Sequence, residues 1–276
     1  MCSWNSWNRI CNSTTILLVL FYLACSGCAR KPWTDPLDEK QAENTIQFLK
    51  SLNSRAETCQ EGIDGDISLF YRNIFEKKSV NGYFQILSPS FIKLIVSNPL
   101  GQPILVVTSD QHTFQLITTL ERRYITGRVS SYGLLHNIPP ALLRGDWVDW
   151  IRGTVRVDPS TITDIRRDRE NRGTWVTVQT TADNILQKTH MLIDSGEGDL
   201  LSRRIENAAG KILAEITYED WMPVGYCRQP YTINITGLEY NSTLAVKLSH
   251  VLIAENLNRS GFRLTAPANY VRQILP

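Results

Sequence analysis

From Gly62 onward the apolar residues recur with a period of two, and most of the chain keeps that period. Ile67–Tyr71, Gly82–Leu87, Phe91–Val96, Ile104–Val107 and Thr113–Ile117 are strand-length runs rich in β-branched and aromatic residues. Asn81-Gly82, Ser88-Pro89-Ser90, Asn98-Pro99-Leu100-Gly101 and Ser109-Asp110 read as the turns between them. Connections this short force antiparallel neighbours, because a parallel return needs a crossover of about a dozen residues or more. The result is a meander that can curl into a barrel or half barrel. After Gly153 the pattern resumes at Ile162–Arg167, Thr174–Thr180, Thr189–Ile193, Leu200–Asn207, Ile212–Tyr218, Tyr231–Leu238 and Thr243–Ile253. Arg203, Glu206, Lys211, Glu215 and Lys247 alternate there with apolar neighbours, as in strands with one wet face.

Two segments break the period. Asp35-Pro36 reads as a helix N-cap followed by Pro at the first helical position, and Ala42, Ile46, Leu49, Asn53 and Ala56 follow at helical spacing. The spacing predicts a helix over Leu37–Arg55, which needs a surface to lie on. Between Ser131 and Arg152 the chain is unusually apolar and aromatic, and Pro139-Pro140 divides it into two short helices. Such a segment covers something: it is either a lid over the concave side of a curved sheet or plain core. The tail from Asn256 to Pro276 reads as a short helix or an irregular arm. Repeats, low-complexity tracts and linkers are absent from the sequence, which predicts one domain over 37–276.

Ahead of that domain, Arg9, the apolar run Ile16–Leu23 and a small-residue exit have the layout of a secretory signal peptide over 1–27. Ser26-Gly27-Cys28 resembles the lipobox of bacterial lipoproteins, with Cys25 where that pattern prefers Leu. The resemblance implies that Cys28 is the first mature residue and carries the lipid anchor, with residues 28–36 as a short tether. Ala29, where Asp would imply retention in the inner membrane, implies the outer membrane of a Gram-negative bacterium, the domain facing the periplasm. Inside the domain only Cys59 and Cys227 remain. In an oxidising compartment they either pair as a disulfide or stay as two buried thiols.

The chain offers little for catalysis. It has no Gly-x-Ser-x-Gly elbow, no phosphate-binding Gly-x-x-x-x-Gly-Lys loop and no His-Glu-x-x-His, and its four histidines are scattered without ligand spacing. The acidic turn Asp194–Asp199 lacks the ligand count of a calcium site. Neither a cofactor nor a metal is implied. A net charge of +2, with both signs interspersed, argues against a nucleic-acid partner. The one dense basic cluster, Arg166-Arg167-Asp168-Arg169, reads as a solvated hairpin end.

Gly82-Tyr83-Phe84-Gln85, then Lys93–Gly101, then Ile138-Pro139-Pro140 with Leu143, Trp147, Trp150, Ile151, Arg152 and Gly153, resembles the outer-membrane lipoprotein receptor family LolB. The resemblance extends over about Gly62 to Ile253. It implies a mainly β fold: a curved antiparallel incomplete barrel, closed by short helices around an apolar cavity, with the N-terminal helix as an addition. It implies no enzyme, but a lipoprotein that takes acyl chains from a periplasmic carrier of the LolA kind and releases them into the outer membrane. Leu100, at the tip of an Asn-Pro-Leu-Gly turn, would be the residue that touches the membrane. Because Lys93 must face water, strand parity turns Ile92, Leu94 and Val96 toward the cavity. Leu105, Val107, Phe114 and Leu116 correspond on the later strands, and Leu143, Trp147, Trp150 and Ile151 come from the lid. The competing expectation is a structural or adaptor lipoprotein whose barrel is filled by its own side chains and which binds only proteins.

Overall fold

The computed structural model describes residues 31–136, 138, 147–182, 185–238 and 242–276. The chain enters as a four-residue strand, β1 (Trp33–Pro36), followed by a helix, α1 (Glu39–Thr58). A first meander contains β2 (Ile63–Arg72), β3 (Lys77–Leu87), β4 (Phe91–Ser97), β5 (Pro103–Ser109), β6 (Thr113–Thr118) and β7 (Arg123–Arg128). Two short helices come next, α2 (Val129–Leu135) and α3 (Trp147–Arg152). The second meander contains β8 (Ile162–Asp168), β9 (Thr174–Ala182), β10 (Ile185–Ile193), β11 (Leu200–Asn207), β12 (Ile212–Val224), β13 (Cys227–Leu238) and β14 (Ser242–Ile253). A 3-10 turn at Arg259–Phe262 leads to the last strand, β15 (Val271–Ile274).

Among the described residues these strands form one fifteen-stranded sheet in the order β1-β8-β9-β10-β11-β12-β13-β14-β2-β3-β4-β5-β6-β7-β15. Pairing of β14 with β2 sets the two meanders side by side. Neighbours are antiparallel except β7 and β15, which run parallel. The sheet is curved and open, a half barrel whose ends β1 and β15 stay apart. A bulge helps to bend β14, where His250 (φ 50°) sits at the slip of register against β2; in β12 the positive φ of Asp220 (57°) falls between the pairs Glu219–Thr232 and Trp221–Pro230 without changing the register. At Gly82 the approach of β4 is so close that a Cβ would lie 2.0 Å from the Ile95 carbonyl oxygen. Asn81-Gly82 is therefore the middle of β3 and not a turn; the turn lies at 73–76, built on Asn73.

Several expected boundaries move. Asp38, not Asp35, caps α1, its carboxylate accepting from the Gln41 N–H at 2.8 Å. The expected 28–36 tether is overtaken at Trp33, because Trp33–Pro36 adds to the edge of β8. The tail is neither a helix nor only an arm, since it returns as β15 along β7.

The core lies on the concave face under the helices. Leu49, Leu52 and Ala56 of α1 are buried, and Leu49 and Leu52 join a cluster with Val176, Met191, Ile193 and Ile216 of the sheet. Polar links hold this half closed. Asn53 donates to the Val157 carbonyl at 2.7 Å and accepts from the Val157 N–H at 2.9 Å, and Cys59 at the end of α1 is disulfide-bonded to Cys227 of β13.

A second cluster sits on the convex face, where Trp33 lies 4.9 Å from His190, stacked, and 5.4 Å from Trp175, edge-on. Trp175 donates to Asp168, which is fully buried and also held by Arg172, so the expected solvated end of that hairpin has an anchored carboxylate at its base. The His190 imidazole meets Thr177 at 2.9 Å and Glu206 at 3.0 Å. Burial pushes its pKa down, which outweighs the upward pull of Glu206. The folded state thus favours neutral His190. The associated stability is present in full above the unfolded imidazole value of about 6.5 and is lost as pH falls below it, through the lower folded value. Replacing Trp33 with Ala is expected to wet His190, raise its NMR titration midpoint toward the free value and flatten the acid limb of the stability profile. An unchanged midpoint would show that Trp33 does not cover it.

Candidate ligand-binding trough

The cross-strand register lines up Phe84, Leu94, Val107, Leu116 and Ile125 as one row running from β3 to β7. A second row is Ile86, Ile92, Ser109, Phe114 and Gly127, and a third is Gly82, Val96, Leu105, Thr118 and Arg123. Ile92, Leu94, Val96, Leu105, Val107, Phe114 and Leu116 therefore share the concave face. Ile92 and Leu94 adjoin the main core, whereas Leu105, Val107, Leu116 and Ile125 stay half-buried with no helix of the described residues packed over them as α1 packs over β9 and β10. These apolar side chains form the floor of a trough.

One end of the trough is closed. The Phe114 ring meets Tyr132 of α2 at 5.1 Å, and α2 is fixed after β7 by the Val129 N–H donating to the His112 carbonyl. The other end of this apolar strip reaches the rim where the β4–β5 and β6–β7 hairpins turn. The convex side of the same strands is covered by the C-terminal arm: Phe262 packs 5.6 Å from Phe91, and Lys93 donates to the Gly261 carbonyl at 3.1 Å. Lys93 thus points away from the trough, as strand parity requires.

The lid residues lie elsewhere on the face. Trp150 and Ile151 of α3 pack against the main core, with Arg203 of β11 over the Trp150 ring at 5.9 Å and Gln229 of β13 donating to the Ile151 carbonyl at 2.8 Å. Trp147 begins the same helix. Among the described residues α3 is tied to the second meander by these polar contacts, and its apolar side joins the same main core that Ile92 and Leu94 adjoin. Leu143 and Cys28 lie outside the described residues. At the tip of its hairpin Leu100 is 83% exposed, with its N–H held by the Asn98 side chain at 3.0 Å.

Sequence reasoning missed Ile125, because β7 reads Arg-Tyr-Ile-Thr-Gly-Arg and shows few apolar residues. Its signal was the β-branched pair Ile125-Thr126. A second hollow of about 190 Å³ was also missed, lying between Phe48 and Leu49 of α1 and Val176 and Ile193 of the sheet. It forms only when a helix expected at 37–55 is seated on strands far away in sequence.

Arg123, at the open end, is the one ionisable side chain in the three rows. Among the described residues no three His, Cys, Asp or Glu side chains gather as a metal site. Burial raises the Tyr218 hydroxyl to about 12 and lowers Arg152 to about 10, so neither group changes charge near neutrality. What the face offers a ligand is apolar surface with a graded exposure.

A strongly bent open antiparallel sheet with helices in its concavity defines a class of fold, and this one is the LolA fold. A LolA superfamily protein from Nitrosomonas europaea superposes with a TM-score of 0.54 at 9% identity, over 78% of this chain and 97% of that one. A DUF1329 family protein from Desulfovibrio piger does so with a TM-score of 0.54 at 9% identity, over 83% and 98%. At the level of sequence, no family model and no curated protein matches.

If the trough is open as described, Val107→Phe is expected to be accommodated, changing unfolding free energy by under about 1 kcal/mol. Ile216→Phe, in the covered half, is expected to cost about 1–3 kcal/mol by overpacking. Denaturant titration of the two variants compares them, and equal losses would mean that the trough is packed.

Proposed function

We propose that this chain is a non-enzymatic envelope lipoprotein that binds acyl chains in the β4–β7 trough. The observation that carries the reading is the row of half-buried apolar side chains from Leu94 to Ile125, on a fold shared with a LolA superfamily protein. In this reading Cys28 carries the lipid anchor, and the domain stands in the periplasm at the outer membrane. A LolA-like carrier delivers the acyl chains of lipoproteins to the trough, and the bilayer receives them past Leu100. No nucleotide is needed, since transfer can run downhill in affinity from carrier to trough to membrane. Burying a Leu side chain in lipid contributes about 1.5–3 kcal/mol, enough to favour the step at the tip.

The filled-sheet adaptor is the second reading, and the observation that favours it is the packing of α1 and α3 onto the other half of the concave face, with Leu49 and Val148 almost inaccessible. Native mass spectrometry separates the two. The acyl reading expects co-purified lipid, displaced by a fluorescent fatty acid whose affinity drops about tenfold or more in Leu116→Asn; the adaptor reading expects neither. Leu100→Glu is expected to keep fatty-acid affinity while slowing lipoprotein release into vesicles, and unimpaired release would remove Leu100 from the mechanism.

A further inference from the structure

The hairpins β2–β3, β4–β5 and β6–β7 turn at one rim of the sheet, the rim on which the trough opens. Their tips carry large apolar side chains in solvent: Ile74 is 69% exposed, Phe75 79%, Leu100 83% and Leu120 81%. Two of these tips are built by the same device. Asn73 accepts from the N–H groups of Phe75 and Glu76, and Asn98 from those of Leu100 and Gln102, so each apolar tip is held outward by a rigid turn. Strands lie about 4.8 Å apart, which spaces successive tips by about 10 Å and the whole row over about 20 Å. On the opposite rim the turns of the same strands, Ser88-Pro89-Ser90 and Asp110-Gln111-His112, carry no large apolar residue; the exposed Leu134 and Leu135 on that side belong to α2 after β7.

Basic residues outnumber acidic ones around the tips. Arg72, Lys77, Lys78, Arg122, Arg123 and Arg272 flank the three tips, against Glu76 and Glu121. The two acids are engaged by Lys78 at 2.8 Å and by Arg123 at 3.3 Å, which leaves Arg72, Lys77, Arg122 and Arg272 exposed. We infer that this rim is a docking surface for a bilayer bearing anionic headgroups: the tips enter between lipids and the basic residues behind them meet phosphates. Separate convex projections set 10 Å apart offer no recess for a protein's side chains, whereas a fluid bilayer admits each one independently. The inference deepens the membrane contact proposed for Leu100 and rests on that reading, extending it to the tips at Ile74, Phe75 and Leu120 and to the basic residues behind them.

The test uses the mature lipidated protein in nanodiscs, with vesicles of the same lipid added so that docking to either surface is registered. An environment-sensitive fluorophore is placed on Leu120→Cys, and on His112→Cys of the opposite rim as a control. With phosphatidylglycerol mixed into phosphatidylcholine, the label at 120 is expected to shift to the blue. The shift should vanish at about 0.5 M salt, where the Debye length falls to a few Å. Lys77→Ser and Arg122→Ser are each expected to weaken vesicle affinity about fivefold, and Ile74→Ser about tenfold. A label at 120 that behaves like the one at 112, or that shifts equally in pure phosphatidylcholine, overturns the inference. Fatty-acid affinity measured on the same samples keeps the two readings apart. Its loss with docking intact overturns acyl binding alone, and docking lost with fatty-acid affinity intact overturns the rim alone.

Discussion

A sheet of fifteen strands turns one apolar face of every strand to the same side, and that face is longer than the helices that lie on it. At about 4.8 Å per strand the face runs for about 70 Å along its arc, while the twenty residues of α1 reach about 30 Å and α2 and α3 about 10 Å each. The described helices therefore cannot cover it evenly. Coverage is concentrated on the second meander, and β4–β7 keep their inner side chains only half out of water. The trough follows from this mismatch of lengths.

Polar contacts determine which half is covered. Segment 153–157 is fastened to α1 through Asn53 and to the sheet through Arg203, which donates to the Thr154 carbonyl at 3.0 Å. Arg152 reaches back to the carbonyls of Cys59 and Glu61, so α3 is bound to the end of α1 where the disulfide also closes. These bonds sit in a buried setting where an unpaired partner is costly. They make sliding of α1 and α3 toward β4–β7 unfavourable. A movable cover over the trough would have to come from elements that lack such ties, and α2, with Leu134 and Leu135 facing water, is the described helix that best fits that condition.

How much of this was legible in the sequence depended on the range of the interaction involved. Strand parity is local, so a single Lys93 was enough to orient β4, and short hairpins extended that orientation to β5 and β6. An antiparallel meander that could form a barrel or a half barrel, and the N-terminal helix, followed from the same periodicities, whereas the incomplete barrel was what the resemblance implied. Partners distant in sequence were not legible. Trp33 is short of neighbours in the sequence and looked like tether, yet it belongs to a cluster with Trp175 and His190. Asn81-Gly82 looked like a turn because Asn-Gly usually is one; here the missing Cβ serves the crossing of β4. The lid helix was read as apolar, but its polar ties were not legible, because nothing local says that Arg203 and Gln229 meet it on β11 and β13.

The two rims also bear on the anchor. Trp33 pairs with Asp168, beside the turn 169–173, and that turn lies on the rim opposite the apolar tips. From Cys28 to Trp33 the chain spans at most about 18 Å, whereas the strands between the rims, seven to eleven residues in β3 and β4, measure about 25–35 Å. In the reading proposed above, acyl chains on Cys28 emerge near one rim and the trough opens on the other. A tether of that length is shorter than the distance between the rims. The same geometry makes the domain lie on its side, or address a second surface, whenever its tips touch a bilayer.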